Sequence, residues 1–206
     1  MREEFAEVGE RRLLAALGRR PVVPAVRSLG EEFEFVLGGD HAAVFVLGGD
    51  AFELIERLRE GAGGLPVCVN VDLVSGVSAD VEGIRFLSRY VDGVISTHRR
   101  IIELAKQARL LTIQRLFAID SGAVERGLKM IARADPAFVE ILPALAYPAI
   151  ADYYRETCGI PVLAGGLVSD YGQVSSLLDA GASGVSASDG SLWGYERRNY
   201  ERRNRR

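Results

Sequence analysis

The chain has 206 residues, 48% of them apolar, and its 25 Lys and Arg against 28 Asp and Glu leave a net charge of −3. This suffices for one domain with a full core, and with no run of about 18 uninterrupted apolar residues the sequence predicts no membrane span. The acidic, amphipathic start lacks a signal-peptide pattern and the two cysteines, Cys68 and Cys158, have no CxxC partner or nearby histidine, so the expectations are a cytoplasmic location, no metal and no disulfide framework.

The first predicted element is an amphipathic helix over residues 3–18. Apolar, β-rich runs then recur as VVPAV from Val22, AVFVL from Ala43, VCVNV from Val67 and GVIST from Gly93. They continue as LTIQRLF from Leu111, FVEIL from Phe138, PVLAGG from Pro161 and GVSAS from Gly184. Segments with helical spacing separate them: residues 31–37, then FELIERLREG, VEGIRFLSRY, RRIIELAKQA, SGAVERGLKMIA, YPAIADYYRET and DYGQVSSLLDAG. Strands too apolar to face water, alternating with helices through eight units, predict a parallel sheet covered by helices. At this chain length the α/β fold they predict is a compact TIM-like (β/α)8 barrel. A doubly wound open sheet is the other topology, but its first βα junction would carry G-x-G-x-x-G, which PAVRSLGEEF lacks. The barrel and its N-terminal helix are expected to occupy residues 1–194. Residues 195–206, YERRNYERRNRR, read as a separate basic tail of net charge +4 on a body of −7.

Residues two apart on a strand share a face. In VCVNVDL the valines alternate with Cys68, Asn70 and Asp72, and the all-apolar set suits the helix side, which turns the other three inward. The same parity turns Thr112 and Gln114, Glu140, and Ser186 and Ser188 inward, while Ser96 and Thr97 end the fourth run. Polar groups late in a barrel strand belong to the ligand-binding mouth. For Asn70 and Thr112, a buried polar group satisfied within the barrel explains the residue equally well. The carboxylates of Asp72 and Glu140 need hydroxyls, amides or cations to offset desolvation; Arg27 and Arg115 are the cations at hand, whether for a ligand or for an inter-strand ion pair.

Gly165 and Gly166 end the seventh run and Ser186 to Ser188 the eighth, with a short turn at 189–193. Loops after the last two strands present backbone amides to phosphate in this fold, so a phosphorylated small molecule is the expected ligand. Lys106 and Lys129 are the only lysines and lie in predicted helices away from strand ends, which disfavours Schiff-base chemistry. Asp72 and Glu140 fit a proton-transfer pair of a phosphosugar isomerase, epimerase or synthase, and equally two carboxylates gripping ligand hydroxyls; the residues alone leave both open. His98, after the fourth run, is within reach of the mouth, and His41 precedes the second.

The ordered succession PAVR, VNVDLVSG, DGVISTHRRII, LLTIQRLFAIDS, PAFVEILPAL, IPVLAGGLVSD and GVSASDGSLW resembles the glycerol-uptake operon antiterminator family. That resemblance implies a barrel without catalytic residues or a cofactor, which senses glycerol 3-phosphate and acts on leader mRNA to prevent premature termination at glycerol-utilisation genes. It implies phosphate contacts at Gly165, Gly166, Ser186 and Ser188 and hydroxyl contacts at Asp72, Gln114 and Glu140, with Arg27, Ser96, Thr97 and Arg115 as further candidates. Three positions depart from the family pattern. Asn70 stands where histidine is common, His98 where Lys or Arg follows the Ser-Thr pair, and Asp189 where asparagine is usual. A negative charge beside an anion site opposes binding, so Asp189 is expected to point away. For RNA, Arg197, Arg198, Arg202 and Arg203 of the repeated YERRN are suited to phosphates and their tyrosines to unpaired bases, against the alternative of a solvated charge run. Arg99, Arg100, Lys106 and Arg109 are the candidates on the body. A homo-oligomer would suit a symmetrical RNA target, though no heptad pattern supports one.

Overall fold

Short strands that are apolar on both faces must be covered twice, once by each other's side chains and once by helices. The computed structural model, which describes residues 2–61 and 64–196, meets this demand by closing the sheet. The eight parallel strands are β1 Val22–Val26, β2 Val44–Val46, β3 Val67–Asn70, β4 Gly93–Ser96, β5 Leu111–Phe117, β6 Phe138–Leu142, β7 Val162–Gly165 and β8 Gly184–Ala187. They follow one another in chain order, and β8 pairs back onto β1. Helix α1 Arg2–Leu17 precedes the barrel, and seven helices alternate with the strands: α2 Glu31–Leu37, α3 Ala51–Gly61, α4 Val81–Leu87, α5 Arg99–Gln107, α6 Ser121–Ala134, α7 Tyr147–Thr157 and α8 Tyr171–Asp179. The (β/α)8 barrel read from the periodicity is therefore the fold. No helix among the described residues is long and apolar enough to cross a membrane.

Two apolar cores result. Val23, Phe45, Cys68, Ile95, Ile113, Phe138 and Leu163 fill the interior, while Val44, Val67, Val94, Val139, Val162 and Val185 face the helices. Leu13 and Leu17 of α1 belong to the interior core, so α1 stoppers the barrel at the N-terminal ends of its strands. Gly184 makes room for it: a Cβ there would stand 2.7 Å from Leu17 and 3.0 Å from the Pro21 carbonyl. At the opposite end, Asp80, Asp120 and Asp170 cap α4, α6 and α8 by accepting the amides of Gly83, Ala123 and Gln173 at 2.9, 2.7 and 2.9 Å.

The structure corrects two local readings. On β5 the interior positions are Leu111 and Ile113, so Thr112 and Gln114 point toward the helices and not into the barrel. The interior at that level is apolar, and the inward polar position falls one residue later, at Arg115. Tyr195, read as the start of the tail, is 2% exposed and packs edge-on against Tyr171, their ring centroids 5.4 Å apart. Glu196 pairs with Arg20. Arg197, Arg198, Arg202 and Arg203 lie outside the described residues.

Two measurements probe this floor. Leu17→Ala removes most of the stopper and is expected to cost ~2–5 kcal/mol in urea unfolding. Both ring nitrogens of His41 are buried without a hydrogen-bond partner among the described residues, and burial lowers its pKa from the ordinary 6.5, with Asp40 opposing and Arg20 adding to the shift. The unfolded chain thus takes up the proton more readily. The stability His41 contributes is complete above the unfolded value and declines as pH falls from there toward the folded one, so the wild type should lose stability over that interval and His41→Gln should flatten the loss.

Candidate ligand site at the barrel mouth

A cavity of ≈ 270 Å³ opens at the C-terminal ends of the strands, and its lining includes Arg27, Arg115, Glu140, Gly166, Ser186 and Ser188. Apolar wall comes from Ala25, Leu47, Leu73, Leu142, Leu167 and Val168. Arg27, Arg115, Glu140, Ser186 and Ser188 arrive by strand parity. Arg115 and Glu140 are direct partners in the β5–β6 register, and Ser186 faces Gly165 in the β7–β8 register.

Glu140 organises the floor of this cavity. Its side chain is 1% exposed, and one carboxylate oxygen takes the Arg115 Nε at 2.5 Å. The other accepts the Ser186 hydroxyl at 2.6 Å. That second bond crosses an entire strand, since β7 lies between β6 and β8. It can do so because the intervening residue is Gly165, where a Cβ would stand 2.7 Å from Glu140 Oε1 and closer still to the Ser186 hydroxyl. Gly165 therefore serves the Glu140–Ser186 bridge and does not itself line the cavity.

The rim is supplied by the two loops the sequence singled out. Gly166 and Leu167 are consecutive left-handed residues, with φ +80 and +62, a conformation that costs a leucine roughly 1–2 kcal/mol. It turns the chain sharply across the mouth and leaves the Leu167 side chain 79% exposed. None of the hydrogen bonds among the described residues uses the backbone amides of Gly166, Leu167, Val168 or Ser188. The Arg27 guanidinium is exposed at the same rim with no ion-pair partner among the described residues. Asp189 turns to Ser191, accepting its amide at 2.9 Å and its hydroxyl at 2.7 Å, and these bonds hold its carboxyl below the ordinary value. Its charge is thus spent on a local turn.

Asp72, Ser96, Thr97 and Gln114 form no part of this cavity. Asp72 sits on the turn after β3, where it accepts the Ser96 hydroxyl at 2.6 Å, the Thr97 amide at 2.7 Å and the Thr97 hydroxyl at 2.9 Å. Asn70 Oδ1 accepts the Asp72 amide at 3.0 Å, and Ser96 Oγ accepts that of His98 at 3.0 Å. This network ties the β3 and β4 loops together. Gln114 is fully buried on the helix side, opposite Ser96 in register, and neither of its amide atoms has a hydrogen-bond partner among the described residues. Sequence reasoning missed the apolar wall, notably Leu47, Leu73 and Leu167. Their positions just past the strand ends were the available signal.

Taken together, these features define a closed (β/α)8 barrel with a small, partly cationic cavity at its mouth. The sequence model of the glycerol-3-phosphate responsive antiterminators matches residues 22–193, every strand included, and the chain belongs to that family. A crystal structure of the glycerol uptake operon antiterminator regulatory protein from Listeria monocytogenes superposes with a TM-score of 0.78 at 33% identity, covering 85% of this chain and 96% of that one. A glycerol uptake operon antiterminator-related protein from Thermotoga maritima gives 0.75 at 28% identity, covering 86% and 99%. The uncharacterized Escherichia coli protein YgcP is 27% identical over 186 residues, 88% of this chain and 95% of its own. Orotidine 5'-phosphate decarboxylase from Pyrococcus horikoshii, at 18% identity and a TM-score of 0.59, shares the fold alone.

The buried pair makes a testable claim. Arg115→Ala leaves the Glu140 carboxylate uncompensated and is expected to cost ~3–5 kcal/mol, read as a shift in the urea midpoint. The Arg115→Met/Glu140→Met double variant should unfold closer to wild type than that single variant does.

Proposed function

We propose that this protein binds glycerol 3-phosphate in the mouth cavity and, in response, acts on leader mRNA of glycerol-utilisation genes to prevent premature termination, as a regulator working in the cytoplasm. The observation that carries this reading is the convergence on one small cavity of unused amides at Gly166, Leu167, Val168 and Ser188 with the unpaired Arg27. Amides with fixed direction and a cation suit a phosphate. Gly166, Ser186 and Ser188 hold that end of the ligand. Glu140 and Arg115, at the cavity floor, meet the glycerol hydroxyls as acceptor and donor.

The family to which the chain belongs is defined by a response to glycerol 3-phosphate, and the cavity volume of ≈ 270 Å³ is of the size a triose-scale ligand needs. The alternative of a phosphosugar isomerase, epimerase or synthase rested on Asp72 and Glu140 facing one pocket. Asp72 is turned to Ser96 and Thr97, so that pair has no common substrate position.

Calorimetry with glycerol 3-phosphate, glycerol and inorganic phosphate tests the ligand half. Glycerol 3-phosphate is expected to bind more tightly than either fragment. Gly166→Ala, which forces a Cβ onto a left-handed residue at the rim, should weaken it at least tenfold while the circular dichroism spectrum is retained. Transcription through a leader terminator in vitro tests the other half, with readthrough expected to rise only when protein and ligand are both present. Equal binding of glycerol and glycerol 3-phosphate would remove the phosphate site from the account.

A further inference from the structure

The hydrogen-bonding capacity at the floor of the mouth cavity is only partly used. A carboxylate has about four lone-pair positions and no proton to give. Glu140 uses one position on each oxygen: Oε2 accepts the Arg115 Nε–H at 2.5 Å and Oε1 the Ser186 hydroxyl at 2.6 Å. No other described residue donates to it, so each oxygen keeps acceptor capacity, and Glu140 lines the cavity.

Arg115 is the converse case. A guanidinium has only donors to give, and of its nitrogens Nε alone is engaged. The two terminal nitrogens have no partner among the described residues, and neither is shut in by protein. With the side chain only 8% exposed, the space they open onto is the cavity that Arg115 lines. The wall beside the pair comes from Ala25, Leu47, Leu73 and Leu142, whose side chains neither donate nor accept. The floor thus sets one side chain with protons only against another with lone pairs only. A hydroxyl answers both at once, because it donates to the carboxylate while accepting from the guanidinium. A carbonyl oxygen can only accept.

We propose that the Arg115–Glu140 pair makes the mouth site selective for a phosphorylated alcohol over the ketone of the same carbon skeleton, by reading the hydroxyl on the ligand's second carbon; this rests on the ligand reading given above. Glycerol 3-phosphate and dihydroxyacetone phosphate differ at that carbon alone. They share the phosphate, the chain length and the terminal hydroxyl, so neither the rim amides nor the cavity volume can separate them. The ketone keeps a bond from Arg115 but sets its oxygen against the lone pairs of Glu140, and the bond to the carboxylate is lost. A site built to hydrogen-bond a hydroxyl rejects the analogue lacking it far more strongly than an apolar pocket rejects a missing methylene, because the orphaned group stays buried.

Calorimetry on the full chain decides it, using glycerol 3-phosphate, dihydroxyacetone phosphate and 3-hydroxypropyl phosphate, which has no oxygen on the second carbon. Both analogues should bind the wild type more weakly than glycerol 3-phosphate by roughly tenfold or more. In the Arg115→Met/Glu140→Met variant the preference for alcohol over ketone should shrink to about twofold, while inorganic phosphate, held at the rim, should bind within about twofold of its wild-type affinity. Equal binding of alcohol and ketone by the wild type overturns the selectivity and leaves the phosphate site standing. A preference that survives in the double variant places the discrimination elsewhere in the cavity and overturns the role of the pair. If that variant does not fold, the wild-type comparison decides alone, and 3-hydroxypropyl phosphate binding as tightly as glycerol 3-phosphate sinks the proposal. A wild type that binds none of the three phosphates overturns the ligand reading and this proposal with it.

Discussion

The organisation of the mouth depends on one buried carboxylate. Glu140 is stripped of water and held by an arginine on one neighbouring strand and a serine two strands away. Burying such a group is costly unless every lone pair finds a donor, so the positions around it are mutually constrained. Arg115 must sit in register on β5, Ser186 on β8, and the residue between must lack a Cβ. The bridge joins β5, β6 and β8 on the inside while the sheet joins them through the backbone. A cavity with a fixed floor is the result, and its rim is the part with groups left over: the Arg27 guanidinium, the Ser188 hydroxyl and the amides after β7 and β8.

How much of this was legible in the sequence varies by layer. The alternation of apolar runs and helical segments specified eight strands and their order, because a doubly covered parallel strand has no choice but to be apolar throughout. The mouth loops were legible for a related reason: consecutive glycines after β7 and serines at the end of β8 are costly or pointless unless backbone is to be exposed there. Strand facing was less legible. Period-two parity holds on β6 and β8, where a single polar residue interrupts an apolar run, and Glu140, Ser186 and Ser188 face the cavity as read. On β5 the run LTIQRLF contains three polar residues spread over both parities, and only the register against Phe138 and Ile95 selects Ile113 and Arg115 as interior. Asp72 shows a different limit. It lies beyond the last ladder residue of β3, on a turn, where strand parity no longer applies, and the donors on Thr97 and Ser96 capture it.

The two ends of the barrel are physically unlike. The mouth is a small polar cavity with strained backbone at its edge; the floor is plugged by leucines from a helix that shares the interior core with the strands. Leu13 and Leu17 touch the same cluster as Ile113 and Phe138, one residue along the chain from Gln114 or Val139 and two from Arg115 or Glu140. Close-packed interiors transmit strain, and this cluster is packed space that α1 shares with the strands carrying Arg115 and Glu140.

A barrel of this kind usually closes its last gap with a helix after the eighth strand, and among the described residues only a short turn, Gly190–Leu192, follows β8. Trp193 and Tyr195 take over that duty, the indole donating to the Ala187 carbonyl at 2.8 Å and the tyrosine ring lying against Tyr171. The covering of β8 is thereby entrusted in part to two aromatic rings that follow this short turn. The seam where the first and last strands meet therefore depends on two side chains that belong to no strand or α-helix, and losing either ring would unroof it.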